Sequence, residues 1–211
     1  MSLFDEISSY RQVEWPPFSN AKISNTITKY SSLFTSDLDH ISWNYLKKIV
    51  SNFKCIINIV NIANAYINLS YWTSHFKKSM SIIIPKPNKS LYNNSKIFCP
   101  IVLLNTLGKL IKKMISNRLK VHSVASNFLC LNQLGGIRQY STIDTGIFLT
   151  HLIWIEWIKE INISTLMFNI AQFFPSLNHQ LLPMILSKAD LNIRILQFFS
   201  SYLIGRQTQY V

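Results

Sequence analysis

The stretch from Leu166 to Leu186, LMFNIAQFFPSLNHQLLPMIL, limits the fold more than any other part of the chain. A short apolar, strand-forming run, Thr165 to Phe168, delivers one polar residue, Asn169, and is followed by a compact turn and an amphipathic helix. That helix is expected over Leu181 to Ser187, with Pro183 early enough in it to introduce a kink. Strand, polar tip and helix in that order belong to an α/β arrangement, although the segment alone equally suits an ordinary strand ended by a helix cap.

A chain of 211 residues can bury a substantial core, so one domain or one large piece of a domain is expected. With 48% hydrophobic and 14% charged residues, the composition is that of a chain that packs. The formal net charge of +12 and an isoelectric point near 9.7 favour an anionic partner such as RNA or DNA, and equally suit a sequence that has lost acidic residues. Cys55, Cys99 and Cys130 are far apart, form no C-x-x-C pair and have no histidine at zinc-ligand spacing, which argues for a reducing compartment and no structural metal. The N-terminal MSLFDEISSYRQVEW carries acids and lacks the apolar centre of a signal peptide. Asn58, Asn61, Asn64 and Asn68 interrupt the apolar run from Cys55 to Trp72, which argues against a membrane span. The expectation is an intracellular protein, cytoplasmic or nuclear, with no membrane partner and an oligomeric state that the sequence does not specify. No P-loop, Rossmann glycine pattern or Ser-His-Asp order occurs.

Residues 1–35, with Trp15-Pro16-Pro17 and no sustained period, read as a connector or the tail of an upstream region, and residues 36–211 as the folded body. A helix is expected from Ser36-Asp37, with Ile41, Tyr45, Leu46, Ile49, Val50 and Phe53 on one face. A second helix, Cys55 to Leu69, is apolar on most sides and expected to be buried. Met80 to Ile84 reads as a strand ending at Pro85, with a turn at Pro87-Asn88 flanked by Lys86 and Lys89, and a returning strand runs from Ile97 to Leu103. The two strands are expected to pair antiparallel. The next helix places Leu107, Leu110, Ile111, Met114, Ile115 and Leu119 on its apolar side and Lys109, Lys112, Lys113 and Lys120 elsewhere. Gly135-Gly136 permits a tight turn, and Ser141 with Asp144 can cap a helix to about Lys159 whose core side is Ile143, Ile147, Trp154 and Ile158. A last helix from Asn192 is expected to bury Ile195, Leu196, Phe199 and Leu203 and to stop at Gly205, with a strand in Arg206 to Val211.

The run Phe168 to His179, FNIAQFFPSLNH, resembles motif A of reverse transcriptases from non-LTR (LINE-type) retrotransposons, which reads F-D-I-x-x-A/F-F-x-x-V/L-x-H. Four upstream segments resemble the same family in the same order. Asp39 to Lys47 is similar to the element before the fingers, without its Pro-Gly-Pro-Asp leader, and Met80 to Lys89 to motif 1. Lys96 to Leu119 resembles motif 2 through Pro100, Ile101, Gly108, Lys109, Asn117, Arg118 and Leu119, and Asn132 to Thr142 resembles Q-x-G-F-R-x-x-R-S-T through Gln133, Gly136, Arg138, Ser141 and Thr142. The resemblance implies a mostly helical α/β fragment of a right-hand polymerase, comprising the fingers hairpin and the first part of the palm, truncated after motif A.

It further implies an RNA template, a DNA primer and Mg²⁺ as the family's partners and cofactor. By resemblance, Asn169 stands at the catalytic aspartate, Phe174 at the ring that excludes a ribose 2′-hydroxyl with Phe173 beside it, and Lys86 and Lys89 at lysines facing template or triphosphate. Cys99 stands at the arginine that holds the incoming phosphates, while Lys109, Arg118, Gln133 and Arg138 fall at nucleic-acid-facing positions. Two of these positions are substituted. An amide brings no negative charge to Mg²⁺ and a thiol lacks the guanidinium's bidentate fork. No intact metal site is expected, since motifs B and C are not found, and the chain is expected to be inactive as an RNA-directed DNA polymerase. The alternatives are a non-catalytic basic module that binds RNA or DNA, and a reading frame without a role.

Overall fold

The computed structural model describes residues 14–30, 41–88, 90–130, 132–137, 140–170 and 173–210. It is a mixed α/β structure, mostly helical, in two compact units: residues 1–119 with 179–211, and residues 120–178.

The first unit begins with helix α1, Asn20–Thr28, whose start is capped by the Ser19 hydroxyl accepting from the Lys22 N–H. Its buried Ile23 and Ile27 are one turn apart, so residues expected to belong to a connector instead supply a helix to the core. Helix α2 spans Trp43–Val50 and is capped by Ser42; Ser36-Asp37, expected to start it, lie outside the described residues. Trp43 and Leu46 are its buried residues, whereas Tyr45 and Phe53, expected on the core face, are exposed. Trp43 lies under Tyr30, ring centroids 3.9 Å apart.

Helix α3, Phe53–Asn68, is buried on one stripe only, through Ile56, Ile59, Val60, Ala63 and Ile67. Its expected burial on most sides is not found, because Asn58, Asn61 and Asn68 fall on the solvent side with Ile62. Asn64 is half-buried and clamps the chain before α1: its Oδ1 accepts from the Phe18 N–H (2.6 Å) and its Nδ2 donates to the Phe18 carbonyl (3.1 Å). Asn64→Ala removes both bonds and leaves two backbone groups of a buried residue unpaired, a cost of about 1–3 kcal/mol for such a loss. The expected result is a lower urea midpoint with an unchanged slope, whereas an unaltered midpoint shows that water replaces the clamp.

A four-residue helix, α4 (Ser74–Lys77), leads into strand β1 (Lys78–Pro85). It pairs antiparallel with β2 (Phe98–Leu103), Ser81 facing Val102 and Ile84 facing Cys99, as the β-branched run and the Pro87-Asn88 turn predict. Asn88 takes φ +60° in that turn. Pro100 is accommodated because β2 is an edge strand. On the other side of β1 lies β3 (Gln207–Tyr210), parallel to it, with Ser81 facing Tyr210.

Helix α5, Thr106–Ala125, lays Leu110, Ile111, Met114 and Ile115 into the core, and its Thr106 hydroxyl donates to the Ile41 carbonyl. Helices α6 (Thr142–Ile158) and α7 (Phe173–Ser176) lie in the second unit, and α8 (Leu181–Ser187) and α9 (Ile193–Leu203) return to the first. Within α9 the buried residues are Ile195, Leu196 and Phe198; Phe199 is only partly buried and Leu203 half-buried, because Phe198 points at Trp72. Gly205, at φ +70°, turns the chain from α9 into β3, a left-handed conformation that suits glycine.

In the second unit the Ser141–Asp144 capping box forms: the Asp144 carboxylate accepts from the Ser141 N–H (2.6 Å), and the Ser141 hydroxyl accepts from the Asp144 N–H (3.3 Å). Hydrogen bonds from the Ser141 side chain, then its backbone, hold the Asp144 carboxyl below the usual aspartate range. A folded-state value below the unfolded one means that the box stabilises α6 above the ordinary aspartate range and is lost as pH falls through the folded value. Acidification is therefore expected to speed amide exchange in the first turn of α6 relative to its intrinsic rate. Ser141→Ala keeps the backbone bond and removes the side-chain bonds, so it should weaken that pH dependence, and an equal acid response in the variant would exclude the side-chain half of the box as its origin.

Two expectations for this unit fail. Ile143, Ile147, Trp154 and Ile158 do not form a core side; α6 has no buried residue, because no sheet among the described residues of its own unit covers it. The run Thr165 to Phe168 is not a strand, and residues 161–170 are exposed without regular structure. A strand needs a neighbour for its N–H and C=O groups, and no described strand pairs with this run.

Candidate nucleic-acid interface

The β1–β2 connection is assembled from its polar residues. The Lys86 N–H donates to the Ile97 carbonyl (2.8 Å), the Lys86 ammonium donates to the Lys96 carbonyl (2.8 Å), and the Tyr92 hydroxyl donates to the Lys86 carbonyl (2.9 Å). Lys86 thus closes the loop while remaining exposed, a structural role that the sequence did not suggest. Cys99 is exposed on the edge strand, its thiol free. The ribbon beyond the core exposes Ile82, Ile83, Ile84, Ile101 and Val102.

Lys109 is half-buried on α5 and hydrogen-bonds through its N–H to the Asn105 carbonyl. Arg118 is partly buried on α5. Its guanidinium carbon sits 3.7 Å from the Phe18 ring centroid, and two of its nitrogens are buried without a partner. Burial also lowers its pKa. The stem and guanidinium of this arginine pack on an aromatic ring.

In the second unit, Gln133 is exposed and its Nε2 donates to the Gly135 carbonyl (3.3 Å), beside the Gly136 turn at φ +76°. Asn169 is exposed in the irregular segment, and Phe173 is exposed at the start of α7. Lys89, Arg138 and the side chain of Phe174 lie outside the described residues.

No family model and no curated protein matches the chain.

A cation at Asn169 would need carboxylates beside it. Asn169 offers one neutral carbonyl oxygen, and of the three acids in its unit Asp144 is held in the capping box while Glu156 is paired with Lys159 at 2.6 Å. The third, Glu160, follows α6 at φ +59° and is nine residues from Asn169 in sequence. Among the described residues no group of three metal-binding side chains converges, and no helix is long and apolar enough to cross a membrane.

The Arg118 assignment has a direct test. Arg118→Met keeps the stem over Phe18 and removes two unpaired buried donors, so thermal stability is expected to hold within about 1 kcal/mol or to rise. Arg118→Ala, which uncovers Phe18, should lose more. A marked loss in the methionine variant would reveal a polar partner for the guanidinium.

Proposed function

We propose that the chain is a fingers and partial-palm region of a non-LTR reverse transcriptase whose catalytic positions are substituted, and that it does not polymerise DNA. The observation that carries this reading is the paired ribbon. The segments similar to motifs 1 and 2 are neighbouring antiparallel strands, with Lys86 after one and Cys99 in the other. Substitution of the aspartate and arginine positions by Asn169 and Cys99 supports inactivity. Primer extension on an RNA template tests the absence of polymerisation, and incorporation by the chain as given overturns it.

A basic module that binds RNA or DNA without catalysis is the second reading, favoured by one observation: 21 lysines and arginines stand against 9 acids, a formal net charge of +12. Phosphate contact releases counterions, so the logarithm of the binding constant should fall linearly with the logarithm of salt concentration, by about 0.9 per phosphate neutralised on duplex. A mobility-shift titration showing a flat salt response removes this reading.

A further inference from the structure

The first unit contains a cleft between the start of α5 and the end of α9 that is lined by two cations and by no described acid. Trp72, Phe76 and Tyr202 provide its aromatic wall, and Lys112 and Arg206 stand at it. Arg206 is positioned from its own side: the Gly205 turn delivers it, its guanidinium lies 4.6 Å from the Tyr202 ring centroid, and one of its nitrogens donates to the Tyr202 carbonyl (3.5 Å). Lys112 comes from α5, one helical turn beyond Gly108, which also lines the cleft.

None of the described acids, Glu14, Asp144, Glu156, Glu160 and Asp190, lines this cleft. The amides of the first turn of α5 are not the recognition element, because the Asn105 side chain already accepts from the N–H groups of Leu107 (3.0 Å) and Gly108 (3.3 Å). What the cleft presents is two cationic side chains over an aromatic wall. Like charges held together are relieved when an anion enters between them, and a guanidinium beside an ammonium is a donor pair suited to tetrahedral oxyanions.

We propose that Lys112 and Arg206 form an oxyanion site that takes a single phosphate group. The site does not depend on the reverse transcriptase reading, since it uses only these two side chains and their cleft. The phosphate has two possible sources with one chemistry, free inorganic phosphate or the backbone of a nucleic acid. The lowered pKa of Lys112, caused first by partial burial of its amine end and then by Arg206, agrees with two cations in a cleft lined by no described acid, although much of the lysine side chain is exposed.

The experiment is a titration of the full chain with inorganic phosphate at constant ionic strength, sodium chloride making up the balance. Binding is followed by calorimetry and by the Lys112 side-chain resonance. Saturable binding with an upward shift of the Lys112 pKa is expected. Lys112→Gln and Arg206→Gln should each weaken phosphate at least about tenfold, the scale of one charge-assisted hydrogen bond, while Lys112→Arg retains binding and Lys48→Gln leaves it unchanged. Far-UV circular dichroism establishes that each variant is folded. A parallel titration with a short single-stranded RNA separates the sources: a matching loss in Lys112→Gln assigns the backbone phosphate, and a loss confined to inorganic phosphate assigns the free ion. Absence of saturable phosphate binding, an equal response to chloride, or unchanged affinity in both glutamine variants overturns the proposal.

Discussion

No template-dependent dNTP incorporation is expected from the chain as given, or from Asn169→Asp, on a primed RNA template with Mg²⁺ or Mn²⁺. Phosphoryl transfer to a 3′-hydroxyl rests on positioning and charge stabilisation, with metal ions held mainly by carboxylates. Removing a single preorganised donor to the transition state costs about 3–4 kcal/mol, or two to three orders of magnitude in rate, and the loss of a metal-binding charge is at least comparable. Restoring the aspartate does not restore its setting. Position 169 lies in an exposed, irregular segment with no strand beside it, so a new carboxylate there is solvated and mobile in its rotamers. Cys99 adds an independent defect, because a thiol cannot form two parallel hydrogen bonds to a triphosphate. Asn169→Asp combined with Cys99→Arg is also expected to be silent. Incorporation by any of these proteins would mean that other residues, or another chain, supply the carboxylates.

Trp72→Ala should remove a large share of the stability of the first unit. Trp72 is 2% exposed and touches four aromatic rings, with centroid distances of 5.1 Å to Tyr66, 5.3 Å to Phe76, 5.6 Å to Phe198 and 5.4 Å to Tyr202. Its backbone N–H also donates to the Ser201 hydroxyl (2.9 Å), which ties the segment before β1 to α9. Truncating a buried tryptophan to alanine costs about 3–5 kcal/mol, against a total of about 5–15 kcal/mol for a typical domain. Urea unfolding followed by circular dichroism should show a large fall in midpoint. Trp72→Phe is expected to cost much less, since it keeps the ring packing and removes an indole N–H that has no partner. Trp154→Ala, at a site 59% exposed on α6, is the control and should be nearly silent. Equal losses at the two tryptophans would contradict the burial that separates them.

The features legible in the sequence are those whose causes lie within a few residues. The antiparallel β1–β2 pairing follows from two β-branched runs, a closing proline and an Asn turn between them. The capping box needs only Ser141 and Asp144 at their spacing, and the bounds of α8 agree with the periodicity despite Pro183, which falls in its first turn. The buried face of α5 is likewise set by its period.

The features that failed are those requiring a partner distant in sequence. Thr165 to Phe168 has strand composition, yet no neighbouring strand accepts its backbone groups. Helix α6 has an apolar composition on nearly every side, so its pattern could not name a buried face, and its own unit supplies none. Residues 20–28 show few apolar positions, and packing against α2 and the stripe of α3 makes Ile23 and Ile27 part of a core.

Among the candidate site residues, the sequence by itself determined chemistry: an amide at 169, a thiol at 99, and a large excess of cations over acids. Tertiary structure alone decided how those groups are used. It stacked Arg118 on Phe18, turned the Lys86 ammonium onto a loop carbonyl, and brought Lys112 and Arg206, 94 positions apart, to one cleft. The physical reason is that side-chain type is local information, whereas burial, partner and net field depend on which distant segments pack together.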